Sequence, residues 1–288
     1  MTYEAALTDP EFQTPGKSKG LWDVFGQRYL LSLLLKKGVA TRYYGSVLGW
    51  VWSYLRPAAQ FLMYYLVIGV LLGADRGMKL FPIYLFCGII TVNLFSEALR
   101  TTTTSIVGNA SLVKKLYLPR ELFPVASVGI AYVHFLPQAI VLLGICLLLG
   151  WTFTWMQLFA LFLGLLIVLT FALGLGLFFG SINVAYRDAG NFVDLILMFA
   201  TWASPVLYPA SLLQAKVPEW VFQIYMVNPV TATVELFHNV FWLPLAPGSD
   251  RPEHLLTNAF IALGIALATL ALGQLTFRKL EGNFAQNL

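Results

Sequence analysis

The fold is decided by residues 122–150, which read LFPVASVGIAYVHFLPQAIVLLGICLLLG. This stretch contains no Asp, Glu, Lys or Arg, and it exceeds the roughly 20 apolar residues that a helix needs to cross a bilayer. We therefore predict a membrane-spanning helix here. In the whole chain of 288 residues, 58% are hydrophobic and 11% are charged, whereas a typical soluble domain has about 25% charged residues. So few charges cannot cover a water-facing surface, which excludes a soluble globular enzyme.

Five further stretches have the length and composition of spanning helices, so the sequence predicts an all-α integral membrane protein with six transmembrane helices. A short turn at residues 151–155 separates the third span from the fourth. Prolines break residues 209–253 into runs too short to span, and two short helices that dip into one interface are predicted there. The predicted spans are residues 57–74, 81–107, 122–150, 156–186, 191–208 and 255–277.

The N-terminal part of the chain is not predicted to span. Residues 1–20 have no apolar core, so they predict a cytoplasmic tail and no cleavable signal peptide. The apolar run at 21–35 is too short to cross, and Lys36, Lys37 and Arg42 follow it. We predict an amphipathic interface helix over residues 21–42. The transmembrane domain then covers residues 43–280, and residues 281–288 form a cytoplasmic C-terminus.

Lysine and arginine are unevenly divided between the two sides of the predicted membrane. Of the 18 such residues, fourteen fall on one side and four on the other. Cytoplasmic loops carry the excess of these residues, so both termini are predicted to be cytoplasmic and residues 209–253 extracytoplasmic. The fourteen are Lys17, Lys19, Arg28, Lys36, Lys37, Arg42, Arg56, Arg100, Lys114, Lys115, Arg120, Arg187, Arg278 and Lys279; the four are Arg76, Lys79, Lys216 and Arg251.

No segment of the sequence predicts nucleotide binding. The nearest match to a phosphate-binding loop is PGKS at residues 15–18. A true loop needs a glycine five positions before the Gly-Lys pair, where this chain has Glu11, and a buried strand ahead of it. We therefore expect no cofactor in this chain. The net charge of +4 is modest and gives no indication of a nucleic-acid partner.

Three carboxylates, Glu97, Asp194 and Glu235, are the candidates for groups within the membrane, where proton- or ion-coupled carriers place theirs. Each lies near a predicted helix end or in the 209–253 stretch. Arg100 follows Glu97 at the spacing of a helical pair. A structural ion pair between Glu97 and Arg100 is therefore favoured over a transport role, which stays open.

The histidines and cysteines predict no catalytic or metal site. His134 and His238 stand alone, without the spacing of paired ligands, and are predicted to be satisfied buried histidines. Cys87 and Cys146 lie inside apolar runs and are predicted to pack as small hydrophobic residues.

Two connections between predicted spans are compact and carry basic residues. Residues 113–121 read VKKLYLPRE and residues 186–190 read YRDAG. Both fit the positive-inside rule as anchors. They also suit docking onto a cytoplasmic partner, with Leu116 and Tyr117 filling a groove.

Small and aromatic residues leave two further alternatives open. Glycines at four-residue spacing, Gly69 with Gly73 and Gly176 with Gly180, favour packing within one subunit over a dimer seam. Aromatic residues make up 15% of the chain, and those in mid-span, such as Tyr64 and Tyr65, need polar partners for their hydroxyls. A passage for sugars would supply such partners, and ordinary helix packing is the alternative.

Six motifs in this order carry a resemblance to a known family. They are RYYGSVLGWVW at 42–52 with Arg56-Pro57, FPIYL at 81–85 with Gly88, NASLVKKLYLPRE at 109–121, YRD at 186–188, SPVLYP at 204–209 and NP at 228–229. The chain resembles the membrane subunits of polysaccharide-exporting ABC transporters of the ABC-2 type. These proteins export lipid-linked O-antigen, teichoic acid or cell-wall galactan across the inner (plasma) membrane.

The resemblance implies a homodimer of six-span subunits around a central passage, with two copies of a separate ATPase that binds ATP and Mg²⁺. The substrate would be a glycan on a polyprenyl diphosphate, with cell-wall galactan as the specific expectation. Residues 209–253 resemble the gate helices of the family, and Tyr64, Tyr65 and Phe199 would line the passage. Arg42 and Arg56 are candidates for the diphosphate entrance. The residues that match the ATPase-coupling segments are Lys114, Lys115, Leu116, Tyr117, Pro119, Arg120, Glu121, Tyr186, Arg187 and Asp188.

Two alternatives remain beside this expectation. An ABC-2 exporter of a drug or small lipid would share the coupling segments but not the full set of sugar-exporter motifs. An ATP-independent flippase or a membrane-embedded sugar-transfer enzyme would need acidic residues at depth, for which Glu97 and Asp194 are the candidates.

Overall fold

A computed structural model describes residues 20–42, 44–115, 118–249 and 252–288, and these ranges contain helices and turns but no strand. The predicted all-α class is therefore confirmed for the described chain. Two π-helical segments, Tyr65–Leu71 and His238–Trp242, continue the α-helices that precede them. The helices are α1 (Leu21–Gly26), α2 (Arg28–Thr41), α3 (Trp52–Tyr64), α4 (Ala74–Gly77), α5 (Phe81–Gly108), α6 (Ala110–Lys115), α7 (Leu122–Leu148), α8 (Trp155–Ala185), α9 (Ala189–Ala200), α10 (Ala210–Gln214), α11 (Glu219–Met226), α12 (Pro229–Phe237), α13 (Leu255–Leu280) and α14 (Phe284–Asn287).

Within the described ranges, five helices are long and apolar enough to cross a membrane. They are Gly49–Leu71, Phe81–Gly108, Leu122–Leu148, Trp155–Ala185 and Leu255–Asn283.

The sequence places a further span at residues 191–208. In the structure α9 has 12 residues and is followed by turns. At 1.5 Å per residue it is about 18 Å long, short of a hydrocarbon core of about 30 Å. The sixth span and the orientation of the termini therefore stay predictions.

Helix α5 is the centre of the bundle. In its most apolar window 72% of the residues are buried, compared with 11% for the Gly49–Leu71 helix. It packs against α7, α8, α9 and α12, and its apolar side chains belong to the main core. The Gly49–Leu71 helix instead exposes apolar residues such as Leu62, Met63 and Val70, which leaves it a lipid-facing or partner-facing element.

The closest helix crossing joins α8 to α13 and depends on glycine. A Cβ added at Gly174 would lie 2.6 Å from the backbone nitrogen of Leu270, and one at Gly273 would clash with the carbonyl of Gly174. Gly176 and Gly180 similarly face α5 at Thr102. Packing within one subunit is thereby confirmed for these glycines, whereas Gly73 has φ +77° and serves a turn instead.

The predicted turn at residues 151–155 ends at Trp155, where helix α8 begins. Thr154 caps α8, since its hydroxyl accepts from the Gln157 amide at 3.4 Å while its own N–H donates to Gln157 Oε1 at 2.8 Å. Trp151 Nε1 also donates to the Val240 carbonyl at 2.7 Å. These bonds fix this end of α8 against the end of α12.

Residues 209–253 differ from the prediction of two short interface helices. Three short helices are present, α10, α11 and α12, because Pro218 and Asn228-Pro229 each begin a new one. Every residue of α12 is buried. It is therefore a core element that packs against α8, α13 and α5, which corrects the prediction for this segment.

The predicted interface helix consists of α1 and α2, which meet at Gln27. Helix α2 packs on α7 through close contacts of Gly38 with Ile130 and of Leu35 with Gly129. Its outer side and that of α1 expose aromatic residues, among them Trp22 and Tyr29. Exposed aromatic rings beside basic residues suit the headgroup region of a membrane.

Candidate functional site

The two predicted coupling loops lie at the same end of the bundle and are tied to α5. Asn183, which is buried, accepts from the Gly190 amide at 3.2 Å and donates to the Thr103 carbonyl at 3.4 Å. Gly190 belongs to the second loop, and Thr103 lies shortly before the first. One amide side chain thus ties the start of α9, at the second loop, to α5.

The first loop exposes only part of its predicted docking set. Lys114 and Lys115 are exposed on α6, with Val113 buried beneath them, whereas Pro119 is half-buried. Leu116 and Tyr117 lie outside the described residues.

The end of the first loop faces inward. Glu121 is fully buried, and its Oε1 accepts from Gln274 Nε2 of α13 at 3.0 Å. The half-buried guanidinium of Arg120 lies over the Phe284 ring at 5.6 Å. In this chain Glu121 therefore holds the loop onto α13 and offers no exposed docking surface, unlike its predicted role.

The C-terminal residues are part of this assembly. Residues 281–283 form a 3₁₀ turn, and Phe284 at the start of α14 is buried edge-on against Phe277, with ring centroids 5.2 Å apart. The same apolar cluster includes Val113, at the start of the first loop, and Val184, two residues before the second loop. The predicted C-terminal segment 281–288 thus supports the first coupling loop.

The second loop is the more exposed of the two. Tyr186, Arg187 and Asp188 are all exposed, and 72% of the surface of Tyr186 is accessible. Ala189 directly after them is buried and begins α9. A ring, a cation and an anion are therefore presented on a short, fixed turn, which is a geometry suited to docking.

The predicted passage residues do not form one surface in this chain. Tyr64 and Tyr65 are half-buried, and Tyr65 donates to Asp75 Oδ2 at 3.3 Å and stacks on Phe61 at 5.9 Å. Phe199 lies on α9 with 61% of its surface exposed. Among the described residues no ring contact joins Phe199 to either tyrosine.

Arg42 and Arg56 are brought together by the fold. Both line a polar cavity of about 200 Å³ between α3, α5 and α7. The Arg56 guanidinium also lies over the Trp52 ring at 5.8 Å. The other polar residues of the wall are Ser53, Gln60, Asn93, Ser96, Glu97, Arg100, His134 and Gln138.

The ion pairs in this cavity correct the predicted Glu97–Arg100 pair. Glu97 hydrogen-bonds Arg42 of the segment after α2. Arg100 Nε donates to Asp194 Oδ1 of α9 at 2.7 Å. Each charge on α5 therefore finds its partner on another element, and the local spacing rule gives the wrong partner.

Sequence reasoning missed Asn93 and Gln138 as members of this cavity. Asn93, Glu97 and Arg100 follow one another at four- and three-residue spacing on α5, which places them on one helix face. Asn93 donates to Gln60 Oε1 at 3.1 Å. The sequence did contain a signal for this cavity, namely polar residues at helical spacing on one face of a predicted span.

The isolated histidines and the two cysteines are buried, as predicted. Cys87 and Cys146 are free and buried. His134 is buried with its ring 5.5 Å from that of Trp50, and His238 Nε2 lies 3.0 Å from the Tyr84 carbonyl. The described residues contain no group of three or more metal-ligating side chains.

These features define a helical membrane protein with several membrane-length apolar helices. The model of the ABC-2 type transporter family matches residues 29–242. This match covers well over half of the chain, which therefore belongs to the ABC-2 type transporter family.

Relatives of similar length support the assignment. Over 90% of this chain and 95% of the relative, the sequence is 24% identical to an O-antigen export system permease protein of Klebsiella pneumoniae. It is 27% identical to the protein of that name from Myxococcus xanthus, over 87% and 90% of the two chains. A capsule polysaccharide export inner-membrane protein of Neisseria meningitidis is 26% identical over 70% of this chain and 76% of its own length.

Proposed function

We propose that this chain is the inner-membrane permease subunit of an ABC transporter that exports a surface polysaccharide. The family match over residues 29–242 carries the proposal, and the names of the relatives give the substrate class. The chain itself performs no hydrolysis on this proposal. A separate ATPase, present in two copies, binds ATP and Mg²⁺ and drives transport.

The exposed coupling residues support the ATPase partner. Lys114 and Lys115 on one loop and Tyr186, Arg187 and Asp188 on the other are exposed at one end of the bundle. Asn183 bonds the second loop to Thr103 of α5, so a push on that loop would be transmitted to α5. The proposal places this end in the cytoplasm, in accord with the distribution of lysine and arginine.

The polar cavity supports a lipid-linked substrate. Three guanidiniums, of Arg42, Arg56 and Arg100, face it together with the carboxylate of Glu97. A diphosphate accepts charge-assisted hydrogen bonds from guanidinium groups, which are stronger than neutral ones. The cavity would hold the diphosphate of a polyprenyl-linked glycan, and Arg56, which makes no ion pair among the described residues, is the first candidate ligand.

A second copy of the chain would complete the passage. The Gly49–Leu71 helix is apolar yet only 11% buried, and Phe199 on α9 is exposed. Aromatic residues that do not meet within one subunit can line a passage between two.

Cell-wall galactan is our specific proposal for the glycan. The second candidate function is export of a small lipid by an ABC-2 transporter, because such an exporter would use the same loops.

Affinity purification of the tagged chain in mild detergent, followed by mass spectrometry and an ATPase assay, tests the proposal. We expect a stoichiometric nucleotide-binding subunit with vanadate-sensitive turnover. A chain that purifies alone and moves lipid-linked sugar in vesicles without ATP would overturn it and favour a flippase.

Charge reversal tests the docking surface. Lys115→Glu and Arg187→Glu should separate ATP hydrolysis from glycan export, because both side chains are exposed on the loops. Lys216→Glu, an exposed lysine in the region that we place on the other side of the membrane, is the matched control. Normal export by the loop variants, at normal membrane levels, would contradict the docking assignment.

A further inference from the structure

A second cavity, of about 640 Å³, lies at the opposite end of the bundle from the coupling loops. Its walls come from the chain ahead of α5, from α10 and α11, from α12 with its π-helical extension, and from the start of α13. Known ligand pockets have volumes of roughly 300–1,000 Å³. None of the residues proposed above for ATPase docking, diphosphate binding or the passage lines this cavity.

Two polar side chains in the wall are almost completely buried. Glu235 on α12 is 5% exposed and Asn258 on α13 is 7% exposed, yet both border the cavity. Within the described part of the chain neither side chain has a hydrogen-bond partner, and the nearest ring nitrogen to the Glu235 carboxylate is His238 Nδ1, 3.9 Å from Oε2. Buried carboxylates and amides are normally hydrogen-bonded because their desolvation is costly. A ligand with hydroxyl groups would satisfy both.

The aromatic part of the wall is fixed in place. Trp242 Nε1 donates to the Lys79 carbonyl at 2.8 Å, and the Tyr84 hydroxyl donates to the Pro205 carbonyl at 2.7 Å. The Tyr84 and Trp242 rings meet edge to face, with centroids 5.0 Å apart. Because their polar atoms are already engaged and the rings are 2% and 6% exposed, these residues give the cavity a rigid back wall of which only the ring edges are accessible.

The charge in the wall is predominantly negative. Among the described residues of the wall, Glu219, Glu235 and Glu253 are acidic, and the one lysine, Lys79, donates a hydrogen bond from its ammonium group to the Pro247 carbonyl at 3.2 Å. The only imidazole in this wall is that of His254. Carboxylates that face a ligand disfavour partners that carry the same charge. An uncharged polar ligand meets no such repulsion.

We propose that this cavity is a saccharide-binding site selective for sugars without carboxylate groups. Glu235 accepts hydrogen bonds from the sugar hydroxyls, Asn258 accepts from and donates to them, and the edge of Trp242 contacts the apolar part of the sugar. On the function proposed above, the site holds the glycan as it leaves the membrane. Binding of a free oligosaccharide does not require transport, so the two proposals can fail separately.

The experiment measures binding of defined trisaccharides to the purified, nanodisc-embedded permease with its partner subunits. The neutral probes are trisaccharides of galactose, glucose, mannose and N-acetylglucosamine, and the acidic probe is the trimer of sialic acid. Saturation-transfer NMR and tryptophan fluorescence give the affinities. Glu235→Gln and Asn258→Ala are the test variants. Asp75→Asn is the matched control, because Asp75 lies outside the cavity wall on the short helix α4.

We expect at least one neutral trisaccharide to bind and the sialic acid trimer not to bind. Loss of a hydrogen bond to a charged group corresponds to about tenfold or more in affinity, so Glu235→Gln should weaken neutral binding by that factor and reduce the discrimination against sialic acid. Asn258→Ala should weaken neutral binding, and Asp75→Asn should leave it unchanged.

Three outcomes would overturn the proposal: no saccharide binding at all, equal or tighter binding of the acidic trimer to the unaltered protein, or neutral binding unaffected by both test variants. Vanadate-sensitive ATPase activity in the same preparation separates these outcomes from a failure of the transport function.

Discussion

The crossing of α8 and α13 gives a quantitative test of how this membrane protein packs. A methyl group added by Gly174→Ala would lie 2.6 Å from the Leu270 nitrogen and 2.7 Å from its Cα. Ordinary van der Waals contact begins at 3.4 Å, so the helices would have to move apart by about 0.8 Å, the difference between 3.4 and 2.6 Å. Backbone atoms cannot rotate out of the way, and overpacking of this kind costs about 1–3 kcal/mol.

Thermal unfolding in detergent, followed by fluorescence-detected size exclusion, measures this effect. We expect Gly174→Ala to lower the apparent Tm by several degrees. Gly264→Ala on α13 is the matched control, since nothing lies within 4 Å of its added methyl group. It should leave the Tm unchanged or raise it, because alanine favours the helix. Equal Tm values for Gly174→Ala and the unaltered protein would refute the reasoning that these backbones touch.

Three further predictions concern the two sites. Asn183→Ala removes the bonds to Gly190 and Thr103, so export should fall more than ATP hydrolysis in reconstituted vesicles; parallel losses would contradict this. Phe284→Ala empties a buried position against Arg120; it should cost about 3–5 kcal/mol of stability, and an unchanged Tm would contradict that cost. Arg56→Gln should reduce lipid-linked glycan export at least tenfold while Arg56→Lys retains part of it; equal export by both variants would exclude a diphosphate contact.

Spans could be predicted from the sequence because their signal is local. Length and apolar composition placed α5, α7, α8 and α13 to within a few residues. Residues 191–208 have the composition of a span, yet the helix ends at Ala200. There the Tyr208 hydroxyl donates to the Trp202 carbonyl at 2.7 Å and the Ser204 hydroxyl to the Ala200 carbonyl at 2.8 Å. Such turn-forming bonds depend on folded geometry that composition does not encode.

The polar cavity was only partly predictable. Arg42 and Arg56 lie in one motif, and the fold does bring them to one cavity. The partners of Glu97 and Arg100 could not be assigned, because a helical spacing rule compares residues on one helix alone. In a packed bundle a carboxylate can instead bond a residue far along the chain, as Glu97 does with Arg42. The same limit explains Glu121, whose motif predicts docking while its bond to Gln274 requires knowledge of the α13 position.

Helix α5 connects all the proposed sites. Near its start Tyr84 borders the large cavity, in its middle Asn93 and Glu97 border the polar cavity, and Thr103 near its end holds Asn183 between the coupling loops. Because 72% of its most apolar window is buried against neighbouring helices, we expect α5 to transmit a displacement along its length. On the proposed function, displacement of the loops by the ATPase therefore reaches the diphosphate site and the saccharide site through the same element. Hydrogen exchange across residues 93–100 during turnover measures whether the middle of α5 stays folded. Normal coupling of hydrolysis to export while this stretch exchanges freely would contradict the arrangement.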